Sequence, residues 1–120
     1  MKTVPLIHSL VEFYKKLYTL RKKISKQDRH GIYTKLDLLT LETITTSIKA
    51  SFEPKAQKST TLQSLRIIIE TLKRMTRLAM ELGIVTQKRY LELEQNLQEA
   101  SKMTNGWIRY INGKNRTPLD

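Results

Sequence analysis

The stretch Leu62-Gln63-Ser64-Leu65-Arg66-Ile67-Ile68-Ile69-Glu70-Thr71-Leu72-Lys73-Arg74-Met75-Thr76-Arg77-Leu78-Ala79-Met80-Glu81-Leu82-Gly83 decides the fold. Wound as an α-helix, it gathers Leu65, Ile68, Ile69, Leu72, Met75, Thr76, Ala79 and Leu82 on one face. That is the i, i+3, i+4, i+7 spacing of a helix that packs on a core. The opposite face carries Arg66, Arg74 and Arg77 with Glu70 and Glu81 among them, and Lys73 at its edge. Ile67 and Leu78 fall on that far side too, in one row with Thr71 and Arg74. The helix is therefore apolar twice, and only one of the two rows is explained by a core.

Working outward, the same period recurs. Gly83 suits the left-handed residue just past a helix end, and Thr86 suits the N-cap of a helix over 86–112. The core row of that helix is Tyr90, Leu93, Leu97, Ala100, Thr104, Trp107, Ile108 and Ile111. Before the opening stretch, residues 54–60 are polar and begin with Pro54, which predicts a linker and a helix starting near 59. A helix over 28–52 has Ile32, Leu36, Leu39, Thr43 and Thr46 as its core row, with Gly31 early in it or in a short turn before it. Its Thr-rich run from Thr43 to Ser47 lowers helix propensity, so packing must hold it. A helix over 5–24 carries Leu6, Leu10, Phe13, Leu17, Leu20 and Ile24 at a 4-3-4-3-4 spacing, a heptad-like seam. Ser25 is the natural cap of the short connector that follows. Four amphipathic helices with short connections predict an all-α, antiparallel, up-down-up-down four-helix bundle over residues 1–112. A flexible basic tail over 113–120 completes the chain.

Composition agrees. The chain has 120 residues, enough for one domain with one core, and few Gly, Pro or aromatic residues. It has no Cys, which excludes disulfides and thiolate metal sites and fits a reducing compartment. The apolar run from Val4 to Ile7 is too brief for a signal peptide, and nothing approaches the roughly 18 apolar residues of a membrane span. A soluble, cytoplasmic protein with no membrane partner is expected.

Charge is the strongest compositional feature. Lys and Arg number 22 against 11 Asp and Glu, a net charge of +11. A small domain reaches solubility with a net charge of about 2–8, so the excess points to a polyanion partner. Two clusters stand out. Arg66, Lys73, Arg74 and Arg77 form the first, partly opposed by Glu70 and Glu81 at pairing distance along the helix. Arg21, Lys22, Lys23, Lys26 and Arg29 form the second, five cations in nine positions opposed only by Asp28. Either would hold phosphates by charge, without reading bases.

Catalysis is not expected. His8 and His30 are the only histidines and lie on different elements with no acidic or nucleophilic partner in sequence. No Gly-rich phosphate loop and no Glu-x-x-His pair is present, so no cofactor and no metal is expected.

Surplus apolar rows point to self-association. Ile7, Val11, Tyr14 and Tyr18 form one, Leu41, Ile44 and Ile48 a second, and Ile67 and Leu78 a third. Each lies off the centre of its helix's core row, and together they read as a subunit interface.

Several short motifs carry a resemblance. Phe13-Tyr14-Lys15-Lys16-Leu17-Tyr18, Lys26-x-x-Arg29-His30-Gly31, Arg77-Leu78-Ala79-Met80-Glu81-Leu82-Gly83 and Met103-Thr104-Asn105-Gly106-Trp107-Ile108 occur in order across residues 6–111. Together they resemble the four-helix-bundle family that includes proteins encoded in ribosomal RNA intervening sequences. Within it they look most like the accessory variability determinant (Avd) proteins of diversity-generating retroelements. Ser47-Ile48-Lys49-Ala50-Ser51 lacks the Asn-Ile-Ala-Glu-Gly run of the intervening-sequence branch, while Gly106-Trp107-Ile108 is typical of the accessory branch. Ser101 stands where that branch usually has Gly, and Thr104-Asn105 where it has a Leu-Gly type pair. The resemblance implies a pentameric barrel of bundles that binds a reverse transcriptase and RNA or DNA, supporting mutagenic cDNA synthesis and homing. An rRNA-fragment- or ribosome-associated bundle is the alternative that the same family offers.

Overall fold

The heptad-like seam of the first segment is buried along its whole length, from Leu6 to Ile24. The structure, a computed structural model, describes residues 3–114, with side chains over 5–113. Helix α1 spans Thr3–Leu20 and then tightens into one 3-10 turn, Arg21–Lys23. The sequence predicts helix as far as Ile24. Instead Ile24 is extended, and its N–H closes the turn on the Arg21 carbonyl at 3.1 Å. The seam residue still reaches the core, delivered by the bend and not by a further helical turn.

Ser25 caps the short helix α2, Lys26–Arg29. Its hydroxyl oxygen accepts the Asp28 N–H at 3.2 Å and donates to the Asp28 carboxylate at 3.1 Å. The chain then turns at Gly31 into α3, Ile32–Phe52. The expected helix over 28–52 is thus two pieces, and the short first turn before Gly31 is the arrangement found. The core row of α3 keeps Leu36, Leu39 and Thr43 of the expected one and differs from it at both ends. Tyr33, Leu36, Leu39, Thr40, Thr43, Ser47 and Ala50 are buried, whereas Ile32 and Thr46 are only half-buried.

Residues 54–60 are not a linker. Helix α4 spans Lys55–Glu81, so only Glu53 and Pro54 separate it from α3. Pro54 sits at φ −61°, the angle its ring imposes, and leads directly into the first turn. Ala56, Gln57 and Lys58 are strong helix formers. Their polarity reflects an exposed helix end, which a sequence window reads as a loop.

At its other end α4 stops as Gly83 predicts. Gly83 has φ 77°, and the Ile84 N–H bonds the Ala79 carbonyl at 2.9 Å while the Gly83 N–H bonds that of Met80 at 3.0 Å. That pair of bonds is the Schellman arrangement. Leu82, placed on the core face by the wheel, is exposed because the helix has already ended there. Thr86 caps α5, Gln87–Lys114, by accepting the Arg89 N–H at 3.2 Å. Most of the predicted tail, residues 115–120, lies outside the described residues.

Helix α1 packs on α3 and α5, and α4 packs on the same two, so α1 and α4 are diagonal. The result is an antiparallel four-helix bundle, a rod of 55 × 22 × 19 Å. Two apolar clusters fill it. Phe13, Leu17, Leu36, Leu72, Tyr90 and Leu93 belong to the half nearest the α1–α3 hairpin. Leu6, Leu10, Leu62, Leu65, Ile69, Trp107 and Ile111 belong to the other half. Each fully buried Leu or Ile stabilises the fold by about 1.5–3 kcal/mol. The Thr-rich run poses no desolvation problem. Thr40, Ser47 and Thr76 donate to the carbonyls four residues back at 2.7 Å, so their buried hydroxyls are satisfied within their own helices. Among the described residues, no helix is long and apolar enough to cross a membrane.

Candidate nucleic-acid interface

The tight turn at the end of α1 decides where the cations go. A 3-10 turn followed by a capped four-residue helix leaves Arg21, Lys22, Lys23 and Lys26 exposed, with Arg29 half-buried beside them. Among the described residues, none of these five is within 4 Å of a carboxylate oxygen. Asp28, the one acid in the segment, is engaged by Ser25. The cluster has kept its charge.

The α4 cluster differs. Lys73 pairs with Glu70 at 3.0 Å and Arg77 with Glu81 at 3.3 Å. Arg66 donates to the Gln63 side-chain oxygen at 2.9 Å. The Lys73 bond holds the Glu70 carboxyl below the ordinary range against the opposing effect of burial, and the field of Arg74 adds to it. Glu70 also accepts from Ser101 at 3.3 Å, tying α4 to α5. Half of this basic face is therefore neutralised in place. Arg74 is exposed, in one row with Ile67 and Leu78, as the wheel predicts.

Beside the hairpin cations lies a feature that the helical wheel assigns to a subunit interface. Tyr14 and Tyr18 on α1 face Tyr33, Thr34, Asp37 and Leu38 on α3 across a groove of about 310 Å³, closed at the hairpin end by Arg21 and Arg29. A second hollow of about 300 Å³ adjoins it, with Tyr18, Arg21 and Arg29 in both walls and Lys22 in the second. The Tyr14 and Tyr18 rings are 6.4 Å apart and tilted by 38°. Tyr18 is 63% exposed and Leu38 59%. Tyr33 is buried as the floor, its hydroxyl donating to the Leu17 carbonyl at 3.1 Å.

The groove's electrostatics follow from one acid. Hydrogen bonding to Asp37 pushes Tyr14 up to about 12, with burial and the Asp37 charge adding to it. Burial, then the Asp37 charge, raises Tyr33, against the lowering effect of Arg21. Both phenols stay neutral donors at ordinary pH.

The apolar rows of α1 and α3 share this side of the bundle. Ile7 and Val11 continue the Tyr14 and Tyr18 row and are half-buried; Leu41 and Ile48 continue the α3 row and are exposed. Ile44 is half-buried and packs against the core cluster of Leu6, Leu10 and Trp107. The third row is separate. Ile67, at 60% exposure, and Leu78 stand on the outer side of α4.

Sequence reasoning missed Arg21 in the groove, Tyr33 beneath it and Asp37 across it. A helical wheel assigns each residue a side of its own helix but not the helix that lies opposite, so the sequence carried no direct signal for this pairing. His8 and His30 are exposed on different elements. Among the described residues, no group of His, Asp and Glu side chains is arranged to hold a metal ion. No protein-family model, curated protein or solved structure matches the chain.

Proposed function

We propose that this chain is a non-catalytic nucleic-acid-binding subunit that assembles with copies of itself and serves a reverse transcriptase as its accessory protein. The single observation that carries the nucleic-acid reading is the α1–α3 hairpin. Five cations occupy nine positions there, and no carboxylate lies within 4 Å of any of them among the described residues. Such charges repel one another unless anions sit between them, and a phosphate backbone supplies anions at regular spacing. Contacts of this kind position a strand without reading its sequence. Self-association is supported by the exposed apolar side chains Ile67 and Leu78 on α4 and Leu41 and Ile48 on α3. It would repeat the basic surface around the assembly. The reverse transcriptase and the pentamer come from the resemblance of the chain's motifs to the Avd proteins.

The test is the salt dependence of binding to a labelled oligonucleotide. For every phosphate no longer neutralised, the slope of log K against log salt should flatten by about 0.7–0.9. Lys22→Glu with Lys23→Glu and Lys26→Glu should weaken binding and flatten that slope. An unchanged slope would remove the hairpin from the account.

A further inference from the structure

The hairpin cations need not act alone, because the groove beside them presents aromatic faces. Phosphate contact explains Lys22, Lys23 and Lys26, which project from the turn. It does not explain an exposed Tyr18 ring between two hollows whose shared walls are Arg21 and Arg29. We propose that this groove takes a base of single-stranded nucleic acid, stacked on the Tyr18 ring, with the adjoining phosphates held by Arg21 and Arg29.

Three features favour an unpaired strand over a duplex. Stacking needs the face of a base, which a duplex hides between its neighbours, whereas single-strand sites combine a basic groove with aromatic platforms. Tyr18 is open to solvent, and the tilted Tyr14 ring at 6.4 Å backs it. The hollow of about 310 Å³ is at the lower end of sites that hold small ligands, a size for one base and its sugar. The groove is also ordered before any ligand arrives. The Leu17 carbonyl holds the Tyr33 hydroxyl at 3.1 Å, and the Tyr14 ring lies beside that of Tyr18. The floor and back of the groove therefore need little rearrangement on binding.

Asp37 adds a polarity to the groove. As an acceptor-only group it repels phosphate and accepts N–H donors. The sugar-phosphate chain therefore runs on the Arg21 and Arg29 side, and the base edge turns toward Asp37. This inference rests on the proposed nucleic-acid function and narrows it to unpaired strands.

The experiment compares fluorescence anisotropy of a labelled single-stranded oligonucleotide and of its duplex, with wild type, Tyr18→Ala and Tyr18→Phe. Solution mass by light scattering is read alongside. Tyr18 is exposed, so both variants should fold. The wild type should prefer the single strand. Tyr18→Ala should weaken that binding by about 5- to 150-fold, the range seen on removing one stacking platform, and leave the duplex affinity and the mass unchanged. Tyr18→Phe, which keeps the ring, should bind as wild type. An equal loss for both nucleic acids, or no loss, would overturn the stacking site while leaving phosphate binding intact. A fall in mass with Tyr18→Ala would make the face a subunit contact and overturn it too. Failure of the wild type to bind either nucleic acid would take down the proposed function itself.

Discussion

The Tyr33 hydroxyl donates to the Leu17 carbonyl at 3.1 Å, joining the start of α3 to the end of α1 beneath the groove. This bond lies between two elements that the hairpin alone would leave free to splay. Tyr33→Phe removes the donor and keeps the ring, so it should cost about 0.5–1.5 kcal/mol. Urea denaturation checks this. An unchanged midpoint would mean that ring burial alone holds the floor.

Two apolar positions on α4 separate core from surface. Leu65 is fully buried and Ile67 is 60% exposed. Leu65→Ala should cost about 2–5 kcal/mol. Ile67→Ala should change the stability of the fold by less than about 0.5 kcal/mol. If Ile67 meets a neighbouring subunit, its truncation should nonetheless lower the solution mass, most visibly when combined with Leu78→Ala. A monomeric wild type at micromolar concentration would remove the interface altogether.

The Tyr14–Asp37 interaction makes a prediction about alkaline pH. The folded-state value of Tyr14, about 12, lies above its ordinary 10.0. The interaction therefore stabilises the fold fully below pH 10 and is lost as pH rises through about 12. Tyrosinate absorbance of wild type minus Tyr14→Phe should titrate with a midpoint near 12. A midpoint near 10 would mean that Asp37 does not hold the hydroxyl.

The two basic clusters should differ in effect. Lys73 and Arg77 are already paired, at 3.0 and 3.3 Å. Reversing Lys73 and Arg77 to Glu should therefore weaken nucleic-acid binding and its salt dependence less, per charge changed, than reversing Lys22 and Lys23. The opposite order would move the interface to α4.

Much of the fold was legible because burial in a bundle is written in helical period. The α1 seam and the α5 row from Tyr90 to Ile111 are buried as the spacing predicts. The caps at Ser25 and Thr86 and the left-handed turn at Gly83 follow from local chemistry. Elsewhere polarity is misleading. Residues 55–60 are polar because a helix end is exposed, not because the chain is irregular. On α3, a buried Thr or Ser that bonds its own helix behaves as a small core residue, so Thr40 and Ser47 were hidden although Thr43 lay on the expected row. The candidate site was legible only as two separate facts, a basic hairpin and an unexplained Tyr14 and Tyr18 row. A helical wheel shows which side of a helix a residue takes, but not which helix lies opposite. The pairing of those tyrosines with Tyr33 and Asp37 needed the tertiary arrangement.

The most direct test of the account is amide hydrogen exchange with and without a single-stranded oligonucleotide. Trp107 and its core cluster occupy the far half of the rod, with Lys58 lying 5.6 Å above the Trp107 ring. That region serves as an internal reference. The account predicts new protection in peptides spanning residues 14–38, with little change in those covering 66–77 and 103–111. Protection centred on Arg66 to Arg77, or none anywhere despite binding, would contradict it.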